Sequence, residues 1–330
     1  MKTKKSLIAM LMSTALVLNF SGCNQVPATS STEKNISDSK TFTIGICQIA
    51  QHPSLDAATQ GFIDAIEEEL PGKVKFENQN ASNDIATCGV ICNGFSANNV
   101  DLILANATPS LQAAASSTVD IPILGTAVTE YGVALNLDNF NGTVGGNISG
   151  TSDLSPLDQQ ANLIPELLPD AKKVGILYCS AEANSVYQAQ KVKEYLENSG
   201  LTVSTYTFAD SNDVTTVTAT ACDENDALYI PTDNTAASCA EAINNVAGTT
   251  KTPIITGDAD TCRKCGVASL CIDYYELGKT TGKMAVQILT GKQNISDMPI
   301  SYYDNPMKLY NKTLAESLNI NIPEGYTPLD

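Results

Sequence analysis

The sequence predicts an α/β protein with two similar doubly wound parallel-sheet lobes and a cleft between them. Short apolar runs rich in β-branched residues alternate with amphipathic segments of helical length, which is typical of βαβ units around a parallel sheet. Residues 41–330 are also too many for one compact core, which favours two lobes. The predicted strands are residues 42–46, 74–77, 102–105, 121–124, 174–178, 203–208, 227–230, 253–256 and 267–272.

This alternating pattern occurs twice. Residues 44–46 match 174–176, residues 101–104 match 226–229, and residues 121–123 match 252–254, in the same order and at a nearly constant spacing. Three ordered matches indicate two related halves, each a small doubly wound domain. A glycine-rich stretch, residues 141–153, lies between the halves. It suits a hinge, since glycine accepts the widest range of backbone dihedral angles.

The first 22 residues have the features of a bacterial lipoprotein signal peptide. Three lysines precede an apolar stretch, residues 6–20, which is too short for a comfortable membrane span. The stretch is followed by Ser-Gly-Cys, which predicts cleavage after residue 22 and lipidation of Cys23. An ordinary secretory signal with an incidental cysteine and an uncleaved anchor are the alternatives. Residues 23–40 are polar and predict a flexible tether.

The charge balance excludes several classes of partner. The chain carries 19 Lys and Arg against 36 Asp and Glu, a formal net charge of −17. Such a chain is repelled by nucleic acid and by anionic lipid headgroups. No segment after the signal is apolar enough to span a bilayer. We therefore expect an extracytoplasmic protein that binds no nucleic acid and reaches the cell membrane only through a lipid on Cys23.

The ten cysteines do not form a recognisable metal or disulfide framework. With Cys23 set aside, an odd number remains, which cannot pair completely within the chain. Cys262 and Cys265 form a Cys-x-x-Cys pair close to Cys271, and such pairs are common zinc ligands. A second pair is absent and the one histidine, His52, is far away in sequence. Buried thiols or one disulfide are therefore the favoured interpretation, and we expect no metal.

The strand ends predict where a ligand binds, because ligands of parallel sheets bind at the carboxyl ends of the strands. The loops at those ends are residues 47–54, 106–110 and 125–131 in the first half, and 179–185, 231–235 and 257–260 in the second. Two lobes that face each other bring these loops to a shared cleft. They provide the candidate ligand contacts Gln48, Thr126, Ala127, Ser180 and Ala183.

The chemistry of these loops favours a zwitterion. Helices begin at Thr108 and Pro109, near residue 182 and near residue 232, and helix N-termini offer free N–H groups to a carboxylate. Asp153, Asp233 and Asp258 each offer a carboxylate to an ammonium group. Any one of these residues is also an ordinary helix cap. The prediction of an amino-acid ligand therefore depends on several such loops converging.

We find no enzyme signature. The chain lacks a Gly-x-Ser-x-Gly nucleophile elbow and a Gly-x-x-x-x-Gly-Lys phosphate loop. With one histidine, acid–base chemistry has few side chains to use, so we expect neither catalysis nor a cofactor. His52 lies in a cleft loop. It either contacts the ligand directly or supports the start of the following helix.

Seven stretches of the chain resemble the substrate-binding lipoproteins of ABC importers of the tryptophan/tyrosine-binding type. They are Gln-His-Pro-Ser-Leu-Asp-Ala-Ala at residues 51–58, Asp-Leu-Ile-Leu-Ala-Asn-Ala-Thr-Pro at 101–109, Gly-Thr-Ser-Asp-Leu at 150–154, Lys-Lys-Val-Gly-Ile-Leu-Tyr at 172–178, Glu-Ala-Asn-Ser at 182–185, Pro-Thr-Asp-Asn-Thr at 231–235 and Ile-Asp-Tyr-Tyr-Glu-Leu-Gly at 272–278. Together they span nearly all of residues 41–323.

The resemblance implies a type I periplasmic-binding fold whose cleft closes like a Venus flytrap around a small-molecule ligand. It implies an ABC permease and ATPase as partners, a monomer, and an aromatic amino acid as ligand: tryptophan, tyrosine or phenylalanine. Three chain crossings assign residues 41–150 and 274–292 to lobe 1, and 151–273 and 293–330 to lobe 2. The residues that it places near the cleft are Thr108, Thr151, Asp153, Glu182, Asn184, Thr232, Asp233, Asn234 and Asp258.

Two other functions remain open at this point. One is a binding protein for a sugar, purine or short peptide in transport or signalling. The other is a lipid-anchored enzyme or metal protein that uses the cysteines at 262, 265 and 271. Sugar sites favour aromatic platforms, and the cleft loops have few aromatic residues. Because the chain has no Trp, stacking on a bound ring falls to Tyr131 and Tyr178.

Overall fold

The computed structural model describes residues Lys40–Leu329. The predicted signal peptide, the Cys23 lipidation site and nearly all of the predicted tether lie outside the described residues. The strands are β1 (Phe42–Gln48), β2 (Val74–Asn80), β3 (Leu102–Asn106), β4 (Ile123–Val128), β5 (Ile148–Ser152), β6 (Lys173–Cys179), β7 (Thr202–Phe208), β8 (Ala227–Ile230), β9 (Ile254–Thr256), β10 (Ala268–Cys271), β11 (Ser301–Tyr302), β12 (Met307–Tyr310) and β13 (Thr327–Pro328).

Helices connect most of these strands. The helices are α1 (Pro53–Glu69), α2 (Ile85–Ala97), α3 (Thr108–Ser117), α4 (Tyr131–Ala134), α5 (Leu157–Leu167), α6 (Ala183–Asn198), α7 (Val214–Glu224), α8 (Asn234–Ser238), α9 (Ala240–Thr250), α10 (Ala259–Cys265), α11 (Tyr274–Leu289) and α12 (Lys312–Ser317). None of the helices in the described part of the chain is long and apolar enough to cross a bilayer.

The strands form two sheets with the same internal order. The first lobe is built on the sheet β11-β5-β4-β3-β1-β2, and the second on β13-β12-β10-β9-β8-β6-β7. Pairing is parallel except between β10 and β12. Strands β1, β3 and β4 occupy the places in the first sheet that β6, β8 and β9 occupy in the second. These are the segments that match in sequence, so the predicted repeat corresponds to a repeated topology.

Each sheet buries an apolar core on both faces. Neighbouring residues of a strand point to opposite faces, and in β3 Ile103 joins one core while Leu104 joins the other. In β8 Leu228 and Tyr229 divide in the same way between the two cores of the second lobe. Strands that are buried on both faces read as continuous apolar runs. The predicted α/β fold with two doubly wound lobes is confirmed.

Helix α11 follows the second sheet but packs on α1 of the first lobe. Two glycines permit this close approach: a Cβ atom at Gly278 would lie 2.0 Å from the Ala58 oxygen, and one at Gly61 would lie 2.1 Å from the Tyr275 oxygen. No real Cβ contact is that short, so a side chain at either position would push the two helices apart. The chain therefore returns to the first lobe immediately after β10.

The predicted lobe boundaries after residues 150 and 292 are both too early. Strand β5 belongs to the first sheet through Ser152, and Ser301 and Tyr302 pair with it in that sheet. The sequence of β5, Ile-Ser-Gly-Thr-Ser, lacks the apolar run of a buried strand, so the sequence alone predicts a hinge there. Gly150 has φ 148° and a Cβ there would lie 2.1 Å from the Gly125 oxygen, so the glycine serves close strand packing.

Candidate ligand-binding cleft

A cavity lies between the two lobes at the carboxyl ends of their strands. Its empty volume is about 310 Å³, and its walls lie close together. Its lining residues come from both lobes and from the chain segments that join them. They are His52, Ser54, Leu55, Ala127, Thr129, Asp153, Asn184, Thr232, Asp233, Asn234, Ala237, Asp258 and Tyr274.

Direct hydrogen bonds join the two lobes across the cleft. The Ser54 hydroxyl at the start of α1 donates to Asp260 Oδ2 on α10 over 2.7 Å. The Asn83 side-chain amide of the first lobe donates to the Thr235 hydroxyl of the second over 3.0 Å. These contacts define a closed arrangement of the cleft. A ligand of amino-acid size can enter only if the lobes separate.

Glu182 is buried and its carboxylate is fully occupied by protein donors. It accepts hydrogen bonds from the backbone N–H groups of Asn234 (3.1 Å) and Thr235 (2.9 Å). It also accepts from the Asn234 amide at 2.6 Å and from the Thr235 hydroxyl at 2.8 Å. The side chain therefore fixes the start of α8 against the start of α6. No free oxygen is left for a ligand ammonium.

Asp233 is also occupied. As the N-cap of α8 it accepts from the Ala236 N–H at 2.7 Å, and its other oxygen accepts from the Cys179 N–H at the end of β6, also at 2.7 Å. Burial raises the pKa of Asp233, and the neighbouring Glu182 carboxylate raises it further. Asp233 thus joins β6 to α8 and shapes the cavity wall.

Asp153 and Asp258 each keep one oxygen free. Asp153 Oδ2 accepts from the Tyr274 hydroxyl at 2.8 Å, while its Oδ1 is buried without a hydrogen-bond partner. Asp258 Oδ1 caps α10 by accepting from the N–H groups of Asp260 (3.0 Å) and Thr261 (2.9 Å), while its Oδ2 is likewise buried and unpartnered. All three aspartates line the cavity, but both oxygens of Asp233 are hydrogen-bonded, and the free oxygen of Asp153 and of Asp258 distinguishes them from it.

The electrostatics of these two carboxyls follow from their burial. Asp153 is 4% exposed and Asp258 is 2% exposed. Burial raises the pKa of both groups, because a low-dielectric surrounding disfavours the charged form. Hydroxyls of Tyr274 and Thr129 offset part of the rise at Asp153, whereas the nearby Asp258 adds to it. A cation in the cavity would restore the charged form of both.

The N-terminus of α1 forms the opposite kind of surface. His52 precedes the helix without capping it through its side chain, and Pro53 occupies the first turn. The His52 ring is 7% exposed; its Nε2 lies 3.4 Å from Asn234 Oδ1 and its Nδ1 is buried without a partner. A 17-residue helix presents a positive dipole end here. The cavity thus combines an acidic pair with a helix terminus suited to a carboxylate.

Several predicted contact residues bond within their own lobe instead. The Gln48 amide donates to the Ala50 oxygen and to Asp56 Oδ1, which fixes the loop after β1. The hydroxyls of Thr126 and Thr151 bond to each other and to Thr281 of α11. None of these side chains lines the cavity, because strand alternation turns them toward the core of the first lobe.

The remaining predicted residues lie around the cleft. Ser180 is exposed and its hydroxyl donates to the Phe208 oxygen, and Ala183 is half-buried at the start of α6. Thr108 is buried with an unpartnered hydroxyl. Pro109 lines a second cavity between the lobes, with an empty volume of about 320 Å³ and with Ile49, Asn83, Ile85, Cys179, Ala181, Glu182, Ala209, Asp210 and Thr235 as its other lining residues.

Neither aromatic residue expected to stack on a ligand lines the cavity. Tyr131 is fully buried and its hydroxyl donates to the Thr151 oxygen, while Tyr178 packs against a core of the second lobe. Tyr274, which the sequence reasoning missed, lines the cavity instead. The sequence signal for it is its position directly after Asp273, at the carboxyl end of β10, because the rule that ligands bind at strand carboxyl ends applies to that loop as well.

The cysteines at 262, 265 and 271 are buried free thiols. Burial raises the pKa of all three, which keeps them protonated. Among residues 40–329 no group of three or more His, Cys, Asp or Glu side chains is placed to hold a metal ion. A larger surface groove, with an empty volume of about 1080 Å³, lies in the second lobe at the opposite, amino-terminal end of the strands, near Asp170, Asp226 and Pro253.

Comparison with known proteins identifies the family. The sequence model of a family described as ABC transporter substrate binding protein matches residues 43–327. A curated protein of Clostridioides difficile (strain R20291), named tyrosine-binding protein, is 34% identical over 327 residues, which cover 97% of this chain and 93% of that protein.

Two solved structures extend the comparison. An ABC domain from Streptococcus pneumoniae in complex with L-Trp is 34% identical with a TM-score of 0.84, covering 88% of this chain and 100% of that one. The ligand-free, open structure of a substrate-binding protein with adhesive properties from Clostridium difficile is 36% identical with a TM-score of 0.67, covering 88% and 99%. The lower score against an open structure agrees with the lobe contacts described above. The chain belongs to the ABC transporter substrate-binding protein family and has the type I periplasmic-binding fold that its sequence predicts.

Proposed function

We propose that this protein captures an aromatic amino acid in its cleft and delivers it to an ABC importer. The observation that carries the proposal is the cavity itself, where two buried carboxylates with free oxygens face the same space as a helix N-terminus. Such a site has partners for both charges of an amino acid. The named relatives, one tyrosine-binding and one holding L-Trp, support an aromatic side chain.

The proposed pose follows from the free groups. The ligand ammonium contacts Asp153 Oδ1 and Asp258 Oδ2, which have no other hydrogen-bond partner. The ligand carboxylate lies at the first turn of α1, beside the His52 ring. Asn184, Thr232 and Asn234 complete the wall of the second lobe. Glu182 and Asp233 hold that wall in place rather than contacting the ligand.

Delivery requires partners and a location. We propose an ABC permease and ATPase as partners, an extracytoplasmic monomer, and a lipid on Cys23 as its attachment to the cell membrane. The binding and release of an unchanged solute require no chemical step. We therefore propose no enzymatic activity.

The test is a thermal-shift screen of the twenty amino acids, followed by isothermal titration calorimetry of those that act. Co-purified solute is first removed and its absence checked by mass spectrometry. We expect tyrosine, tryptophan or phenylalanine to raise the melting temperature most. A shift with sugars, purines or short peptides, and none with any amino acid, would contradict the proposal.

A further inference from the structure

The carboxylates of Asp153 and Asp258 are held by different lobes, on opposite sides of the cleft. Asp153 follows β5 directly, and its N–H donates to the Val128 oxygen of the first lobe at 3.3 Å. Asp258 caps α10 in the second lobe. Opening of the cleft therefore separates these side chains, and closing brings them into one buried space.

We propose that Asp153 and Asp258 form an electrostatic gate that opposes closure of the empty cleft until a ligand cation neutralises the pair. This inference depends on the proposed function in one respect: the proposed function identifies the neutralising cation as the ammonium group of an amino acid. It makes the two carboxylates determinants of specificity as well as contacts. A ligand without a positive group cannot provide the neutralisation and so cannot stabilise the closed form.

The surroundings of the pair do not supply that neutralisation. No Lys or Arg is among the residues that line the cavity in the described part of the chain. The titratable groups that interact electrostatically with Asp153 or Asp258 include His52 before α1, Asp260 on α10, Tyr274 on α11, Tyr229 on β8, Tyr131 on α4, and the thiols of Cys262, Cys265 and Cys271. Asp233 lines the same cavity, and Asp260 is ion-paired with Arg263.

Among the described residues that line the cavity, His52 is the one potential cation, and the Arg263 guanidinium outside it pairs with Asp260. His52 favours the charged form of Asp258, whereas the Asp260 carboxylate disfavours it. Burial raises the pKa of each phenol and thiol in this set, so these groups stay neutral. At neutral pH an empty closed cleft therefore buries two carboxylates with insufficient counter-charge, which is costly in a low-dielectric site.

The same balance predicts the effect of pH. In the open form both carboxyls are more hydrated and have lower pKa values than in the closed form, where burial raises them. The closed form therefore binds protons more tightly, and lowering the pH shifts the equilibrium toward it. Protonation here replaces the ligand ammonium.

The experiment is small-angle X-ray scattering of the purified, solute-free protein at pH 7.5 and pH 5.0. The variant is Asp153→Asn/Asp258→Asn, which removes both charges and retains side chains of the same shape. The matched control is Asp138→Asn/Asp223→Asn, which removes one exposed carboxylate from each lobe. The reference is the scattering curve calculated from the closed structure, so this readout needs no ligand.

We expect the wild type and the control to be open at pH 7.5 and to shift toward the closed curve at pH 5.0. The double variant should match the closed curve at both pH values. The gate is overturned if the double variant stays open at pH 7.5, or if the solute-free wild type is already closed there. If the double variant does not fold, as checked by circular dichroism, the wild-type pH shift decides the question.

A second readout tests specificity. Wild type should bind tyrosine at least about tenfold more tightly than 3-(4-hydroxyphenyl)propionate, which lacks the ammonium, and the double variant should lose this preference. An unchanged preference would contradict the gate. If no aromatic amino acid binds the wild type, the proposed function fails while the scattering result still decides the gate.

Discussion

Glu182 and Asp233 on one wall of the cleft are as deeply buried as Asp153 and Asp258, at 2–4% exposure. The two pairs differ in how their carboxylate oxygens are hydrogen-bonded. Every carboxylate oxygen of the first pair accepts a hydrogen bond from the protein, mostly from backbone N–H groups at the start of α8. In the second pair one oxygen of each residue has no partner.

This difference in hydrogen bonding indicates that one pair has a structural role and that the other is available to bind a ligand. Buried polar groups in native proteins are almost always hydrogen-bonded, so an unpartnered buried carboxylate oxygen requires an explanation. The ligand ammonium proposed above is our explanation for Asp153 and Asp258. The bonded pair, Glu182 and Asp233, instead determines the shape of the wall. Substitutions in the two pairs should therefore affect different measurements: folding stability for one, ligand affinity for the other.

The largest effect is expected from Glu182→Ala. It leaves the N–H groups of Asn234 and Thr235 and two side-chain donors without their acceptor. Each buried donor left unpaired costs about 1–3 kcal/mol, so we expect the free energy of unfolding to fall by roughly 3 kcal/mol or more. Urea unfolding followed by circular dichroism measures it.

Glu194→Ala on the exposed side of α6 is the control and should change stability by less than about 0.5 kcal/mol. If Glu182→Ala is equally mild but abolishes ligand binding, Glu182 is a ligand contact and the assignment of the bonded pair to architecture is wrong.

Asp258→Asn should show the reverse behaviour. Asn is as good an N-cap as Asp, so the cap of α10 is retained and stability should be unchanged or higher. The lost charge removes a hydrogen bond to the ligand ammonium, worth about 1.5–3 kcal/mol, so affinity should fall about 10- to 100-fold. Asp84→Asn, at the cap of α2 away from the cavity, is the matched control for titration calorimetry. Equal affinities of both variants would remove Asp258 from the site.

The sequence predicted the two lobes because their signal is local and repeated. Apolar runs mark β1, β3, β4 and their counterparts, and an ordered repeat requires no knowledge of contacts. Strand β5 was missed because Ile-Ser-Gly-Thr-Ser has only one apolar residue, and its place in the sheet depends on close packing at Gly150.

Local sequence patterns do not show which of the three aspartates keeps an oxygen free for a ligand. Asp233 is satisfied by the Cys179 N–H, a partner 54 residues away in sequence, and only the fold brings the two together. Conversely, Gln48 and Thr151 occupy strand ends that obey the cleft rule, but their side chains point into their own lobe. Loop position predicts which backbone reaches the cleft; side-chain direction depends on strand register and on neighbours such as α11.

The three buried aspartates of the cavity should also make stability depend on pH. The pKa values of Asp153, Asp233 and Asp258 are raised by burial, so the folded chain holds protons that the unfolded chain, with carboxyl pKa values near about 4, has already released. This stabilisation is present at low pH and is lost as pH rises through the raised pKa values. The melting temperature of the solute-free protein should therefore fall between pH 5 and pH 7.5, and the fall should be smaller in Asp153→Asn/Asp258→Asn. A rise over that range, or the same slope in the variant, would contradict this assignment.

The smallest effect on ligand affinity is expected from removing a hydrogen bond that joins the two lobes directly. Ser54→Ala removes the hydroxyl that donates across the cleft to Asp260. One such bond contributes about 0.5–1.5 kcal/mol, and because it forms only on closing, its loss should weaken ligand affinity about 3- to 10-fold. Stability without ligand should not change, since the open form lacks the bond. Ser116→Ala on the exposed face of α3, whose hydroxyl bonds within its own helix, is the control. An affinity equal to that of the control would show that closure does not depend on this bond, and the free carboxylates would then be the main link between ligand and lobe movement.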